Sequence, residues 1–213
     1  MVPDPPDAPD LLVETIEAGS TLFHGHRRER DAVAFNPGPR PAGRFSFFEA
    51  SADGRLVSAF YAGLNEEVAV AETLLHDVPL SGGQITWAEQ NLRIISAVQC
   101  LRDLQLAQLH GGGLRRLGIK ARELTDTGAD EYPRTVRWAA AIHTARPDLD
   151  GLAWMSARWN SHKAVVLFGD RVGLADLAQD ASVSRDFRIL ADREWLLDLL
   201  DSVNVIAMPP SWE

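Results

Sequence analysis

One glutamate stands inside an otherwise apolar stretch of the chain. Glu72 follows the run VAVA (residues 68–71) and precedes a leucine pair (residues 74–75) in FYAGLNEEVAVAETLLHD. A carboxylate held against an apolar wall can stabilise positive charge that develops on a substrate, as on a sugar that becomes oxocarbenium-like. Helical periodicity alone favours a boundary carboxylate on a half-exposed helix. Periodicity therefore leaves the role of Glu72 open.

Two histidines could lie on one face of a strand. His24 and His26 are separated by one glycine, and a strand places alternate side chains on the same face. The other four histidines show no H-E-x-x-H spacing, and no Cys or Asp pair stands nearby. The sequence therefore predicts no metal site.

Two further motifs lack the context that their chemistry needs. HGGGLRRLGIK (residues 110–120) combines glycines with basic residues but lacks the G-x-x-x-x-G-K-[ST] spacing of a phosphate loop. A flexible loop before a basic helix is the interpretation it favours. Ser156 in WMSARW has no G-x-S-x-G around it, so a hydrolase nucleophile is unsupported by its neighbours.

Composition excludes several classes of protein. The net charge of −9 and the pI of about 5.1 argue against sequence-independent nucleic-acid binding, which needs a basic surface. Cys100 is the single cysteine, so no internal disulfide can form. MVPDPPDAPD (residues 1–10) lacks the regions of a signal peptide, and no apolar run is long enough to span a bilayer. We expect a cytoplasmic protein with a disordered tail over residues 1–10.

Strand and helix patterns are mixed along the chain, without an internal repeat or a dividing linker. Strands are predicted at residues 20–26, 44–48, 55–63, 92–100, 151–157 and 163–170. Helices are predicted at residues 11–18, from an N-cap at Asn65 to residues 76–77, and at residues 101–109, 132–145 and 192–203. The fold class that follows is α/β (α+β), with residues 11–213 forming one domain around a mixed central sheet flanked by helices.

Three motifs occur in a characteristic order. GRFSFF contains Arg44, FYAGLNEEVAVAETLL places Tyr61 and Glu72 eleven positions apart, and GLAWMSARWNSHKAVVLFGDR contains Ser156. Over residues 21–171 the chain resembles the RES domain family, named for its arginine, glutamate and serine. That resemblance implies a toxin of a bacterial toxin–antitoxin pair, a fold related to ADP-ribosyltransferase toxins and an activity that destroys NAD⁺. It also implies an Xre-type antitoxin as partner.

The resemblance also implies roles for the motif residues. It assigns the catalytic acid to Glu72, and contacts with the substrate to Arg44, Tyr61 and Ser156, of which Arg44 and Ser156 also count as catalytic. Cleavage of the nicotinamide–ribose bond releases a neutral ring, so a carboxylate that stabilises the cationic ribose is the group most needed. The planar fork of Arg44 suits pyrophosphate, the Tyr61 ring suits a base, and the Ser156 hydroxyl can fix an amide or a ribose.

Two departures from the family pattern concern basic residues. The family's first strand usually carries an arginine where this chain has His24, so His24, Arg27 or Arg28 must take its place or binding is weaker. Arg158 lies one residue beyond the serine–arginine pair often seen, and we leave it out of the predicted site.

The group that accepts the ADP-ribose is left open by the sequence. Water would give a glycohydrolase, inorganic phosphate as co-substrate a phosphorylase, and a protein side chain an ADP-ribosyltransferase. Val70 occupies the position of the first acid in the Glu-x-Glu pair of protein-modifying transferases, which favours free NAD⁺ as substrate. The alternatives are modification of a host protein and a non-catalytic interaction module. No resident cofactor is expected, and a homo-oligomer is left open.

Overall fold

An eight-stranded mixed sheet forms the centre of the protein. The computed structural model describes residues 1–39 and 43–209. The strands are β1 (Val13–Ile16), β2 (Thr21–Arg27), β3 (Ala59–Gly63), β4 (Gly83–Ile85), β5 (Arg93–Cys100), β6 (Leu104–Gln108), β7 (Gly151–Met155), β8 (Lys163–Phe168), β9 (Leu177–Asp186) and β10 (Val205–Ala207). The large sheet has the order β1-β6-β7-β8-β3-β2-β5-β9, and β10 pairs with β4 in a parallel two-stranded sheet. Of the pairs in the large sheet, β6–β7 is parallel and the others are antiparallel.

Five α-helices pack around this sheet. They are α1 (Glu66–Ala71), α2 (Trp87–Leu92), α3 (Gly111–Leu117), α4 (Tyr132–Ala145) and α5 (Leu190–Ser202), with 3₁₀ turns at Ala121–Glu123 and Ala129–Glu131. Trp138 and Ile142 of α4 pack with Trp154 and Phe168 on one face of the sheet. The predicted fold class, a mixed sheet flanked by helices, is confirmed.

The central sheet is weakly joined between β2 and β3. Phe23 and Gly63 form the one Cα pair in register between these strands among the described residues, whereas β2 pairs with β5 at seven positions. Beyond Phe23, the side chain of His24 rather than the backbone contacts β3, through the carbonyl of Tyr61. Helix α1 packs against both β2 and β3 and so covers the junction. The sheet therefore consists of two halves, β1-β6-β7-β8-β3 and β2-β5-β9, which are joined by few backbone pairs between β2 and β3.

Helix α1 begins where the sequence predicts and ends earlier. The Asn65 side chain accepts from the backbone N–H of Val68 and caps the helix. The helix ends at Ala71 rather than at residues 76–77, because the N–H groups of residues 73–75 all converge on the carbonyl of Val70. Glu72 is therefore the C-cap residue of a short helix and not a residue of its middle.

Four other predictions of local structure are wrong. Residues 101–109 contain β6 and not a helix, since Leu104 and Leu106 alternate into the core with Gln105 between them. Residues 11–18 contain β1, which pairs with β6. Residues 44–48 form an irregular loop with isolated bridges, because Phe45 and Phe48 turn into the core while Arg44 and Ser46 line a cavity. The glycines of residues 111–113 begin α3 and are not a flexible loop.

The N-terminal residues pack on the protein body, which differs from the expected disordered tail. Val2 is 3% exposed, and its N–H donates to the Glu131 carboxylate. The indole N–H of Trp138 donates to the carbonyl of Pro3, and Asp4 pairs with Arg137 of α4. One apolar residue and several contacts with α4 are enough to hold a segment whose composition is typical of disorder. Among the described residues, no helix is long and apolar enough to cross a membrane.

Candidate active site

A cavity of about 810 Å³ opens at the junction between β2 and β3. Its walls come from these two strands, the C-terminal end of α1, the loop of residues 43–48 and the first turn of α4. Arg44, Tyr61 and Glu72 all line it, so the structure brings three of the four predicted site residues to one place. The volume lies within the range of small-molecule sites, about 300–1,000 Å³.

Glu72 presents a carboxylate oxygen that lacks a partner. Its Oε1 is buried and accepts no hydrogen bond from the described residues. The position at the C-cap of α1 places the carboxylate at the negative end of the helix, which does nothing to stabilise it. A buried oxygen left unpaired destabilises the empty protein. The residue lines the cavity, so Glu72 brings a negative charge to its wall.

Arg44 presents a partly free guanidinium on the same cavity. Its Nη2 donates to the carbonyl of Thr127 at 3.1 Å, and its Cζ lies 5.7 Å from the centre of the Tyr132 ring. Its Nε is buried without a partner among the described residues. The backbone is fixed by Thr135 of α4, whose hydroxyl donates to the carbonyl of Arg44. The cation is thus held in place while part of its hydrogen-bonding capacity stays unused.

Tyr61 is anchored through its hydroxyl group. The phenol donates to Ser46 Oγ at 2.9 Å and accepts from the backbone N–H of Phe45 at 3.2 Å. Burial raises the pKa of Tyr61 to about 12, so the group stays a neutral phenol near pH 7. Gly43 also abuts the phenol, since a Cβ at that position would lie 2.6 Å from the Tyr61 hydroxyl. Tyr61 therefore fixes the loop that carries Arg44.

Tyr132 and His76 extend the site beyond the predicted residues. The Tyr132 hydroxyl and His76 Nε2 lie 2.6 Å apart, and His76 Nδ1 lies 2.8 Å from the Asp77 carboxylate. Burial raises the pKa of the Tyr132 phenol, the charge of Arg44 lowers it and that of Glu72 raises it, so both charges lie close to this ring. All three residues line the cavity.

His24 cannot supply the positive charge that the family's arginine would bring. Its Nδ1–H donates to the carbonyl of Tyr61 at 2.6 Å, and its ring stacks on Phe60 at 4.2 Å. Burial lowers the pKa of His24 to about 4, so the imidazole is neutral near pH 7. Of the two other candidates, Arg28 is used in an ion pair with Asp186 at 2.5 Å, and Arg27 lines the cavity.

Ser156 lies apart from the other predicted residues. It is fully buried and is not part of the cavity wall; its hydroxyl accepts from the backbone N–H of Trp159 at 3.1 Å and so closes the turn after β7. Trp154, two residues earlier on β7, faces the cavity instead. Arg158, which was left out of the prediction, donates to the carbonyl of His76. The role of Ser156 in the site stays a prediction.

The sequence analysis missed several residues that line the cavity. Ser46 stands two positions after Arg44 in the same motif, and its spacing gave a usable signal. Tyr132 and His76 gave none, because they are 56 positions apart and only the fold brings the start of α4 to the turn that follows α1. Among residues 1–39 and 43–209, no group of three or more His, Cys, Asp and Glu side chains could hold a metal ion.

The fold and the composition of this cavity agree with one family of proteins. The family model described as RES domain matches residues 21–192, which is most of the chain. The chain belongs to the RES domain family. A search of curated proteins gave no match.

The fold is also similar to that of a solved structure. It is described as the crystal structure of the M. tuberculosis MbcT–MbcA toxin–antitoxin complex and matches with a TM-score of 0.59 at 15% sequence identity. The match covers 84% of this chain and 90% of the other. At this identity the similarity concerns the fold.

Proposed function

We propose that this protein is an NAD⁺-degrading toxin that cleaves the bond between nicotinamide and ribose. The observation that carries the proposal is that Glu72 and Arg44, two side chains of opposite charge, line one cavity of about 810 Å³, and each has a buried polar atom without a partner among the described residues. Membership of the RES domain family supports it, since the matched range of residues 21–192 includes both residues.

The proposed mechanism follows from the charges of the two side chains. Glu72 accepts hydrogen bonds from the ribose hydroxyls and stabilises the positive charge that grows on the sugar as neutral nicotinamide departs. Arg44 binds phosphate oxygens of the dinucleotide through the N–H groups that its protein contacts leave free. The neutral Tyr61 and Tyr132 rings give flat surfaces for a base.

Substitution of Glu72 tests the proposal. In Glu72→Gln the shape is kept and the charge is lost, so we expect nicotinamide release from NAD⁺ to fall by about 10²–10³-fold with the melting temperature nearly unchanged. Glu67→Gln is the matched control, because Glu67 lies on the same helix, loses the same charge and does not line the cavity. Normal turnover by Glu72→Gln would refute the assignment.

The acceptor is proposed to be a small molecule, either water or inorganic phosphate. Val70 leaves the cavity without the second acid expected for protein modification. NAD⁺ labelled in its adenylate half, incubated with cell extract with and without phosphate, should place label in ADP-ribose or its phosphorylated form. Label on a protein would instead identify an ADP-ribosyltransferase.

An antitoxin partner is part of the proposal. The matched crystal structure is described as a toxin–antitoxin complex, which supports a partner that holds this chain inactive. We expect the chain expressed alone in the cytoplasm to stop growth, and an Xre-type protein encoded beside it to restore growth. Unchanged growth with soluble, folded protein would favour the non-catalytic interaction module.

A further inference from the structure

A second group of positive charges lines the cavity away from Arg44. Arg27 ends β2 and Arg93 begins β5, and the two are partners in the register of these strands. Arg30 follows in the turn after β2, and all three arginines line the cavity. The topology thus collects three guanidinium groups from separate positions at one mouth of the cavity.

These arginines are poorly compensated by acids. Arg30 and Arg93 form no ion pair with the described residues, and Arg27 approaches Glu29 at 3.7 Å, with both side chains more than half exposed. Glu89, another acid near Arg93, is bound to the backbone and hydroxyl of Thr86 at the start of α2. The exposed Arg27–Glu29 pair at 3.7 Å contributes little to stability.

Arg28 shows what a structural arginine looks like in the same segment. It donates two hydrogen bonds to the Asp186 carboxylate and two to the carbonyl of Asn91. Arg28 is therefore fully paired where it ties the end of β2 to α2 and β9, whereas its neighbour Arg27 faces the cavity. The contrast indicates that the free cations serve a ligand.

The cluster repels itself in the absence of an anion. Burial lowers the pKa of Arg93, and the charges of Arg27 and Arg30 lower it further, while the charges of Glu29 and Glu89 act in the opposite direction. An anion between the three side chains would relieve this repulsion. Guanidinium groups match phosphate oxygens with two parallel hydrogen bonds, so a phosphate group is the anion that the side chains fit best.

The cluster lies close to the Glu72 wall along β2. Gly25 abuts Thr73, the residue after Glu72, and Arg27 lies two residues further along β2, so about 7 Å of strand separates the two parts of the cavity. A ligand that reaches both the Glu72 wall and the cluster therefore carries negative charge away from its reacting end.

We propose that Arg27, Arg30 and Arg93 form an anion subsite that binds a phosphate group of the nucleotide in this cavity. The identity of the ligand as a nucleotide rests on the proposed function, whereas anion binding by the cluster does not. The subsite supplies the positive charge that neutral His24 lacks. The phosphate belongs either to the pyrophosphate or to a 2′-phosphorylated adenosine ribose.

Binding of ADP-ribose and of 2′-phospho-ADP-ribose, measured by calorimetry, tests the subsite. We expect Arg93→Gln and Arg27→Gln each to weaken binding by about 10- to 100-fold. Arg122→Gln is the control for net charge, because Arg122 is exposed and lies outside the cavity wall. Arg27 is exposed, so Arg27→Gln keeps the test valid even if Arg93→Gln is poorly folded.

The two ligands distinguish the sources of the phosphate. Weakening of both by the cluster variants identifies the pyrophosphate, and weakening of the 2′-phosphorylated ligand alone identifies the ribose phosphate. Either result supports the subsite. The proposal is overturned if wild type binds neither ligand, or if the cluster variants bind both as tightly as Arg122→Gln does.

The same measurements separate this inference from the proposed function. Both ligands lack the nicotinamide–ribose bond and need no turnover, so their affinities can be measured even if the protein releases no nicotinamide. Conversely, nicotinamide release that depends on Glu72, together with unchanged ligand affinity in the cluster variants, would leave the proposed function standing and remove the subsite.

Discussion

At the scale of single residues, the site is recognised by what its side chains leave unsatisfied. Glu72 and Arg44 carry opposite charges on one cavity, and each keeps a buried atom without a partner among the described residues. An unpaired buried polar group costs about 1–3 kcal/mol. Of the nine such side-chain atoms among the described residues, three belong to residues that line this cavity: Arg44, Glu72 and Trp154. The types and order of Arg44, Tyr61 and Glu72 were predictable from the sequence, but their unpaired atoms were not, because pairing depends on neighbours distant in the chain.

His24 makes a prediction about pH. Its pKa is about 4 in the folded protein and near 6.5 in the unfolded chain, so the unfolded state binds more protons between these values. Stability is then complete above pH 6.5 and falls as the pH approaches 4, by up to about 3 kcal/mol. Urea unfolding of wild type and His24→Gln at pH 7, 6, 5 and 4.5 should show a steeper loss in wild type. Parallel curves would contradict the buried, neutral imidazole.

At the scale of elements, the end of α1 is set against β2 by a glycine. A Cβ at Gly25 would overlap the hydroxyl of Thr73, which itself donates back to the carbonyl of Ala69. Thr73 follows Glu72 directly, so the close approach of β2 to this turn fixes where the carboxylate lies. The sequence could not reveal this contact, because Gly25 and Thr73 are distant in the chain and neither residue type indicates that they meet.

We expect Gly25→Ala to destabilise the protein by about 1–3 kcal/mol and to reduce nicotinamide release by displacing Glu72. In Gly25→Ala/Thr73→Ala the overlap with the hydroxyl is removed, so the double variant should recover part of both losses. Chemical denaturation and turnover of the two single variants and the double variant measure this coupling. Strictly additive effects would show that the two residues do not meet. Gly173→Ala, with open space around the position and no special φ, is the control.

The N-terminal segment makes a second prediction at this scale. Removal of residues 1–9 exposes the site of Val2 and leaves the indole N–H of Trp138 without its acceptor. We expect stability to fall by about 2 kcal/mol and the melting temperature by about 4–8 °C. Calorimetry of the full and shortened chains provides the measurement, and an unchanged melting temperature would restore the view of a disordered tail. Val2→Ala separates the apolar contribution from that of the hydrogen bonds.

The elements that the sequence predicts best are those with one dominant pattern. Helix α4 was predicted at its observed residues, since Pro133 marks the first turn and apolar residues recur at helical spacing. The sequence predicts a helix where strand β6 lies, because over a short stretch its leucines fit both the helical and the strand period. Strand β9 was missed because it lies at a sheet edge and most of its residues are exposed or half-buried, which removes the apolar pattern.

At the scale of the whole molecule, the charge distribution opposes the net charge. The chain carries −9 overall, yet Arg27, Arg30, Arg44 and Arg93 line one cavity whose acids are Glu72 and Asp77. An acidic exterior disfavours polyanions such as nucleic acids, while a local excess of guanidinium groups attracts a small anion that can enter. The net charge can be read from the composition. The local excess of arginines is visible only in the fold, because these arginines come from separate segments of the chain.

The two halves of the sheet meet at the cavity, so a ligand that bridges them should stabilise both. Tyr61 belongs to β3 in one half, and Arg27 and Arg93 belong to β2 and β5 in the other. With ADP-ribose at 100 times its dissociation constant, stabilisation of about 2.7 kcal/mol should slow amide exchange by up to about 100-fold on both sides of the junction. Hydrogen exchange resolved to β2, β3 and β8, with and without the ligand, provides the test. A ligand bound by one half alone would protect the strands of that half and leave exchange across the junction unchanged, which would contradict the bridged arrangement.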